Sequence, residues 1–312
     1  MSFIQQAFFG KTAWYTYAVT LILVFLGWQV LGVLPLVSVA AYCSESIEEF
    51  TQAGATNFMS LGINSNLYLF LMIVSFAIGL LTLLWSVKKI HQRSIVSLVT
   101  SRTKIDKRRI LYAFLAWGVV TILVVSISIA VSPAAYVWNF KAIPFFTLLF
   151  ISLVFLPLQT SFEELLFRGY FMQSLGCLVR NKWFPLLCTS VVFGLLHWLN
   201  PEVQKLGAIS MVFYIGTGLF YGIVVLMDEG TELALGLHAA NNIVAAFFVT
   251  TDWTVFQTDA LFVSVSEPTV NWELFFPVFV LYPLLLLLFA KKYKWHSWKE
   301  KLTGAVVLPE EG

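Results

Sequence analysis

The chain has 312 residues, of which 59% are hydrophobic and 12% are charged, and its formal net charge is +2. Its mean hydropathy is +0.83. A soluble domain carries roughly 25% charged residues, so this composition excludes an ordinary soluble protein and indicates an integral membrane protein.

Uncharged stretches predict the membrane spans. About 20 mostly apolar residues cross a bilayer core of about 30 Å. Stretches without Asp, Glu, Lys or Arg cover, in chain order, residues 12–44, 50–87, 110–140, 142–162, 183–201, 206–227, 233–251 and 274–290. We therefore expect an all-α, polytopic membrane helix bundle of about eight transmembrane helices, with a broken or kinked helix near Pro157.

The basic residues predict how the bundle is oriented. If the chain starts in the cytoplasm and crosses eight times, the cytoplasmic loops contain Lys11, the Lys/Arg cluster of 88–109, Arg180, Lys182 and the lysines of 291–301. The outer loops then contain Lys141 and Lys205, which satisfies the positive-inside rule. We predict a multi-pass protein of the cell membrane, or of the endoplasmic reticulum in a eukaryote, with both termini cytoplasmic.

The basic loop 88–109 has two possible partners. It could bind nucleic acid, but it adjoins the end of a span, where Lys/Arg clusters usually meet anionic lipid headgroups. We therefore expect the lipid bilayer as a partner and no nucleic acid. The GxxxG pair Gly218 and Gly222 could line a groove for substrate, although close helix packing is the favoured interpretation.

Few ionisable side chains lie inside the predicted spans. Each costs at least ~2.5 kcal/mol on insertion scales, so each needs a partner or a function. They are Glu163, Glu164 and Arg168 in SFEELLFRG, His197 in FGLLH, and His238, which is followed by Asn242, in LHAANN. Glu164 and Arg168 have the helical spacing of an ion pair, whereas Glu163 points about 100° away from Glu164 and has no local partner.

Local signals predict where Glu163 lies on its helix. Ser161 and Glu164 fit a capping box, and Pro157 disfavours an unbroken helix. Glu163 is therefore expected in the first turn of a helix that begins within the span, where the helix N-terminus favours an ionised carboxylate.

Three helices could bring these side chains together. Phe193 and His197, and likewise His238 and Asn242, are four residues apart and share a helix face. From the rise per residue, Glu163 and His197 both lie roughly 21–22 Å from the cytoplasmic ends of their spans, but His238 lies only roughly 10 Å from its own. Convergence therefore requires a tilted helix or a later helix start.

Each motif alone also fits a structural role, since a buried His, Asn or Glu/Arg pair can simply join helices. Together, however, a carboxylate, two imidazoles and an amide provide what amide hydrolysis needs. A base must activate water, and hydrogen-bond donors must stabilise the oxyanion.

The ordered motifs EExxxR, FxxxH and HxxxN resemble the CPBP family of intramembrane proteases, which includes type II CAAX prenyl endopeptidases and bacteriocin-processing or self-immunity proteins. The resemblance covers roughly residues 143–250. It implies that Glu163 and His197 activate water, that His238 and Asn242 stabilise the oxyanion, and that Glu164 and Arg168 support the site.

We expect no cofactor, since the proposed chemistry needs no metal and the chain lacks an HExxH pair. The alternative is a divalent metal such as zinc, held by Glu163, His197 and His238.

On this resemblance, three regions are expected in the chain. Residues 1–142 contain the first three helices and the basic loop, 143–250 form the catalytic core with helices four to seven, and 251–312 contain an outer loop, the last helix and a basic tail. The expected function is an intramembrane endopeptidase whose site opens toward the cytoplasm. Its substrate is a peptide or protein, with a lipidated C-terminus as one option.

Two other functions stay open. One is a non-catalytic bacteriocin self-immunity or peptide-binding membrane protein. The other is a proton-coupled transporter, because buried Glu and His residues also mark proton paths.

Overall fold

The computed structural model describes residues 2–55 and 58–308. Eight main helices follow one another: α1 (Trp14–Cys43), α2 (Ser65–Lys89), α3 (Lys107–Val131), α4 (Ala142–Val179), α5 (Trp183–Leu195), α6 (Ala208–Asp228), α7 (Glu232–Phe247) and α8 (Trp272–Tyr293). Six of these are long and apolar enough to cross a membrane, whereas α5 and α7 are shorter. Each predicted span coincides with one helix, which confirms the polytopic helix bundle.

Shorter elements occupy the connections between the main helices. Short helical segments cover Ile4–Phe9, Ile47–Gly54, Met59–Leu61, Ile95–Val99, Pro133–Ala135, Pro201–Leu206 and Trp298–Thr303. A small sheet contains β1 (Tyr136–Trp138), β2 (Val249–Thr250) and β3 (Phe262–Ser264), in which β3 pairs antiparallel with β1 and parallel with β2. This sheet was not expected from the sequence, and it satisfies backbone polar groups of two loops.

Helix α4 is interrupted near Pro157, as predicted. A first segment, Ala142–Val154, is followed by Leu156–Glu164, a π-helical stretch Leu165–Phe171, and Met172–Val179. Pro157 lies in the first turn of the second segment, where its missing N–H costs no hydrogen bond. The capping-box prediction was therefore wrong: Ser161 lies inside this segment, and Glu163 lies near its C-terminal end.

Apolar side chains on the outside of the bundle face the lipid. On α3, Leu111, Leu115, Val119, Leu123 and Ile127 recur every four residues, and each is between 53% and 60% exposed. On the other side of α3, Ala113 and Trp117 are buried against α7. An exposed apolar stripe of this length is stable beside hydrocarbon rather than water.

The GxxxG glycines have a packing role, which is the interpretation that the sequence favoured. A side chain at Gly218 would come within 2.8 Å of the Ser190 carbonyl oxygen, and one at Gly222 would come within 2.5 Å of the Leu186 side chain. Both glycines thus allow α6 to pack closely against α5.

The loops separate into two groups at opposite ends of the bundle. At one end, Lys11 N–H donates to the His91 carbonyl, Ser101 N–H donates to the Glu229 carbonyl, and Lys182 N–H donates to the Gly304 carbonyl. We call this the basic end; it contains 2–11, 90–106, 180–182, 229–231 and 294–306. The opposite, acidic end contains 44–55, 58–64, 132–141, 196–207 and 248–271, and it includes the sheet.

Candidate active site

The four residues expected to be catalytic lie around one cavity. Glu163 on α4, His197 directly after α5, and His238 and Asn242 on α7 all line a cavity of about 400 Å³. The second segment of α4 packs against both α2 and α7, and α5 packs against α6. The arrangement of α7 thus brings His238 to the depth of the other residues, although helix counting placed it shallower.

A buried ion pair supports one of these histidines. Arg168 Nη1 lies 3.0 Å from Glu164 Oε1, and both side chains are fully buried. The predicted pair is therefore present. Its carboxylate also accepts a hydrogen bond from His238 Nδ1 at 2.9 Å, and Arg168 Nη2 donates to the Gly218 carbonyl at 3.1 Å. Glu164 thereby fixes the orientation of the His238 ring, so that Nε2 faces Glu163.

Glu163 is close to two polar groups. Its Oε2 lies 3.7 Å from His238 Nε2, and its Oε1 accepts a hydrogen bond of 3.3 Å from Gln159 Nε2. Its side chain is 12% exposed. The expectation that Glu163 has no local partner was wrong, because Gln159 lies one helical turn earlier on the same face. The carboxylate is thus held in place while it still borders the cavity.

His197 is oriented by its own helix. Its Nδ1 lies 2.8 Å from the Phe193 carbonyl oxygen, and because a carbonyl only accepts, Nδ1 carries the proton. Nε2 of the neutral ring therefore has a free electron pair. The ring stacks on Tyr214 at a centroid distance of 4.6 Å. The predicted pair Phe193 and His197 thus places an unprotonated nitrogen at the cavity.

Asn242 belongs to a short chain of hydrogen bonds. Its Oδ1 accepts from Asn241 Nδ2 at 3.2 Å, and Asn241 Oδ1 accepts from Trp117 Nε1 at 3.3 Å. This assignment leaves Asn242 Nδ2 as the group that can donate to a substrate oxygen. Asn241 and Trp117 were not identified from the sequence. Their hydrogen bond joins α7 to α3, so it depends on how these two helices pack.

The cavity is closed toward the basic end and accessible from the acidic end. Its inner wall contains Phe162, Phe167 and Tyr221, each at most 3% exposed. Its rim contains Leu196, which is 54% exposed, together with partly exposed residues of the acidic end, Asn200, Glu202, Val255 and Phe256. The rim loops are the ones predicted to be outer, so the predicted cytoplasmic opening and the predicted orientation of the loops conflict with each other, and both stay predictions. The short α5 ends beside this rim and places His197 near it.

Glu202 at the rim was also missed by sequence analysis. Its Oε1 accepts a hydrogen bond from Val255 N–H at 2.8 Å, whereas its buried Oε2 has no hydrogen-bond partner among the described residues. Burial raises the pKa of this carboxyl above its usual value, and the Val255 hydrogen bond opposes that shift. A glutamate in the loop 196–207 gives no sequence signal, because only the fold brings it to the cavity.

Within residues 2–55 and 58–308, no group of three or more His, Cys, Asp or Glu side chains is arranged to hold a metal ion. The alternative ligands Glu163, His197 and His238 do line one cavity. The metal-free chemistry thus stays a prediction that a chelator can test.

Comparison with known proteins gives two matches. Residues 142–244 match the model of a family described as type II CAAX prenyl endopeptidase Rce1-like. The chain is also similar to a Bacillus subtilis (strain 168) protein named "Uncharacterized protein YyaK", with 32% identity over 237 residues, which is 76% of this chain and 77% of that protein. No solved structure matches significantly. The family match spans α4 to α7 and contains all six predicted site residues.

Proposed function

The chain belongs to the type II CAAX prenyl endopeptidase Rce1-like family, and from that premise we propose that it is an intramembrane endopeptidase acting through Glu163, His197, His238 and Asn242. Membership implies peptidase activity in general. The single observation that carries the specific proposal is that these four side chains border one cavity inside the bundle.

The proposed first step is activation of water by Glu163 and His197. The Glu163 carboxylate and the free Nε2 of His197 are both acceptors at the cavity, so a water molecule placed between them can lose a proton to either. The water oxygen bonds to the scissile carbonyl carbon, and the carbonyl oxygen becomes an oxyanion. Asn242 Nδ2 is one donor that stabilises it, and the second is His238 Nε2–H in the cationic ring, whose other proton on Nδ1 is held by Glu164.

The second step breaks the carbon–nitrogen bond. The oxyanion re-forms the carbonyl, and the proton taken from water passes to the leaving nitrogen. The products are an amine and a carboxylic acid, which releases its proton to solvent and becomes a carboxylate. Glu164 and Arg168 act as positioning residues, since they contact His238 and the backbone rather than the cavity. No metal takes part in this proposal.

The substrate is proposed to be a peptide segment with apolar residues. The cavity wall contains the aromatic rings of Trp28, Phe76 and Phe213 next to the polar groups, a combination typical of sites that bind apolar ligands in a fixed orientation. A CAAX-like C-terminus is one member of this class, and a bacteriocin-like peptide is another.

The test uses purified protein in detergent and a peptide library that includes isoprenylated CaaX peptides. We expect cleavage by the wild-type protein to fall by a factor of at least about 100 in Glu163→Gln and in His197→Ala. Glu273→Gln, which changes an exposed carboxylate outside the cavity, is the matched control and should cleave normally.

Three different results would contradict the role of Glu163, the metal-free chemistry and catalysis itself. Cleavage that survives in Glu163→Gln would refute the role of this carboxylate. Loss of cleavage in a chelator would refute the metal-free chemistry. Binding without cleavage by the wild-type protein would instead indicate the non-catalytic peptide-binding function.

A further inference from the structure

A chain of two hydrogen bonds leads from the cavity to a helix outside the region that the family model matches. Asn242 Oδ1 accepts from Asn241 Nδ2 at 3.2 Å, and Asn241 Oδ1 accepts from Trp117 Nε1 at 3.3 Å. Both asparagines line the cavity, whereas Trp117 does not. Trp117 lies on α3, before the matched residues 142–244. The Asn242 amide is therefore connected to a residue that the family motifs do not contain.

Trp117 determines the direction of this chain. An asparagine amide can turn over, which exchanges the positions of its accepting oxygen and its donating nitrogen. An indole N–H can only donate, so the atom of Asn241 that faces Trp117 must be its oxygen. Asn241 then presents its N–H to Asn242, which must accept with its own oxygen. The nitrogen of Asn242 is thereby left facing the cavity.

The surrounding side chains hold the Trp117 indole in one position. Trp117 is 3% exposed, and its ring packs on Tyr282 of α8 at a centroid distance of 5.6 Å. The Tyr282 ring also stacks on Phe220 at 4.3 Å, and its hydroxyl is hydrogen-bonded to Thr217 at 2.9 Å. An indole that is fixed in this way presents its N–H at one point only.

We infer that Trp117 and Asn241 are positioning residues, which hold the Asn242 amide with its nitrogen toward the substrate. This inference rests on the proposed function and adds two residues to it. A donor that is already aimed at the developing oxyanion stabilises the transition state more than one that must first turn. If the Asn242 amide turned over, its oxygen would face the negative charge and repel it.

Asn241→Asp tests the direction of the chain with almost no change in shape. The ionised carboxylate only accepts, so it accepts from Trp117 with one oxygen and from Asn242 with the other, and the Asn242 amide turns over. For the library peptide that the wild type cleaves, we expect kcat to fall about 100-fold and KM to stay within about twofold. The matched control is Asn271→Asp, at an exposed helix N-cap. It should cleave normally, because aspartate caps a helix equally well.

The pH dependence separates this effect from a packing defect. A protonated carboxyl group has one oxygen that accepts and one O–H that donates, which is the pattern of the amide. The ratio of kcat in Asn241→Asp to kcat in the wild type should therefore rise as the pH falls and the introduced carboxyl group takes up a proton. A ratio that is constant with pH, or a wild-type kcat at neutral pH, would overturn the inference.

Trp117→Phe removes the N–H and keeps an aromatic ring in the core. The chain then has no fixed direction, and kcat should fall about fivefold, which is the contribution of one ordinary hydrogen bond. Trp272→Phe, at an exposed indole at the start of α8, is the matched control and should keep kcat within about twofold of wild type. Equal kcat in the two variants would contradict the role of Trp117.

Exchange of the Asn242 amide protons with water tests the orientation without any cleavage. In detergent-purified protein labelled with ¹⁵N-asparagine, the Asn242 side-chain signal is identified by its absence in Asn242→Ser. At neutral pH these protons should exchange faster in the wild type, where they face the cavity, than in Asn241→Asp, where one is bonded to the carboxylate. Equal exchange would overturn the inference. If exchange differs but the wild type cleaves no peptide, the proposed function fails while the direction of the chain is confirmed.

Discussion

At the scale of single residues, Glu164 joins the buried cation of the site to one of its histidines. It accepts hydrogen bonds from Arg168 and His238 while it is fully buried. Removal of one partner from a buried ion pair costs about 3–5 kcal/mol, because the remaining charge has no partner. Glu164→Ala is therefore expected to lower the free energy of unfolding by about that amount.

A double-mutant cycle separates this effect from lost packing. Arg168→Met removes the unpaired cation, so Glu164→Ala combined with Arg168→Met should be more stable than Glu164→Ala alone. Unfolding of the detergent-purified proteins provides the measurement. Glu273→Ala, at an exposed carboxylate, should stay within about 0.5 kcal/mol of wild type. Additive effects of the two substitutions would contradict the ion pair.

The same residues indicate how far single side chains could be predicted. The pair of Glu164 and Arg168 followed from a spacing of four on one helix. The bond from His238 to Glu164 joins residues 74 positions apart, and no periodicity within one helix reports such a contact. Gln159 was different, because its spacing of four from Glu163 was visible in the sequence.

At the scale of helices, the contact between α5 and α6 depends on Gly218. An added methyl group would meet the Ser190 backbone, and overpacking of this kind costs about 1–3 kcal/mol. Gly218→Ala is expected to lower the free energy of unfolding accordingly. Gly118→Ala is the matched control, since its methyl group would lie at an ordinary 3.8 Å from Ala240 Cβ. That variant should be neutral or more stable by up to about 1 kcal/mol. Equal effects would contradict the close packing.

The connection between α2 and α3 should respond to pH through His91. Burial lowers the pKa of His91 below its usual 6.5, and its Nδ1–H donates to the Lys11 carbonyl while Nε2 accepts from Tyr170. The folded state therefore favours the neutral ring. The unfolded chain binds the proton more readily, so this contribution to stability is complete above pH 6.5 and decreases as the pH falls below it.

Thermal unfolding in detergent measures this effect. Between about pH 7.5 and about pH 5.5, the melting temperature of the wild type should fall more than that of His91→Gln, which has no titratable ring. A larger fall in His91→Gln would contradict the neutral, buried histidine.

At the scale of the whole molecule, uncharged runs predicted the eight helices because a bilayer requires long apolar segments. The break in α4 followed from Pro157, but the start of the next segment did not. That segment begins at Leu156, so Pro157 lies in its first turn and Glu163 lies near its C-terminal end. The loops that border the cavity were not predicted. They depend on how residues 196–207 and 248–271 fold over the helix ends, which hydropathy does not report.

The central claim is that this bundle hydrolyses peptide bonds with water activated at Glu163. Its most direct test is incubation of the purified wild-type protein with the peptide library in ¹⁸O-labelled water, followed by mass spectrometry of the products. The account predicts new C-termini that contain one ¹⁸O atom in the wild type, and none in Glu163→Gln. Folded wild-type protein that yields no new C-termini, or labelled C-termini in both proteins, would contradict it.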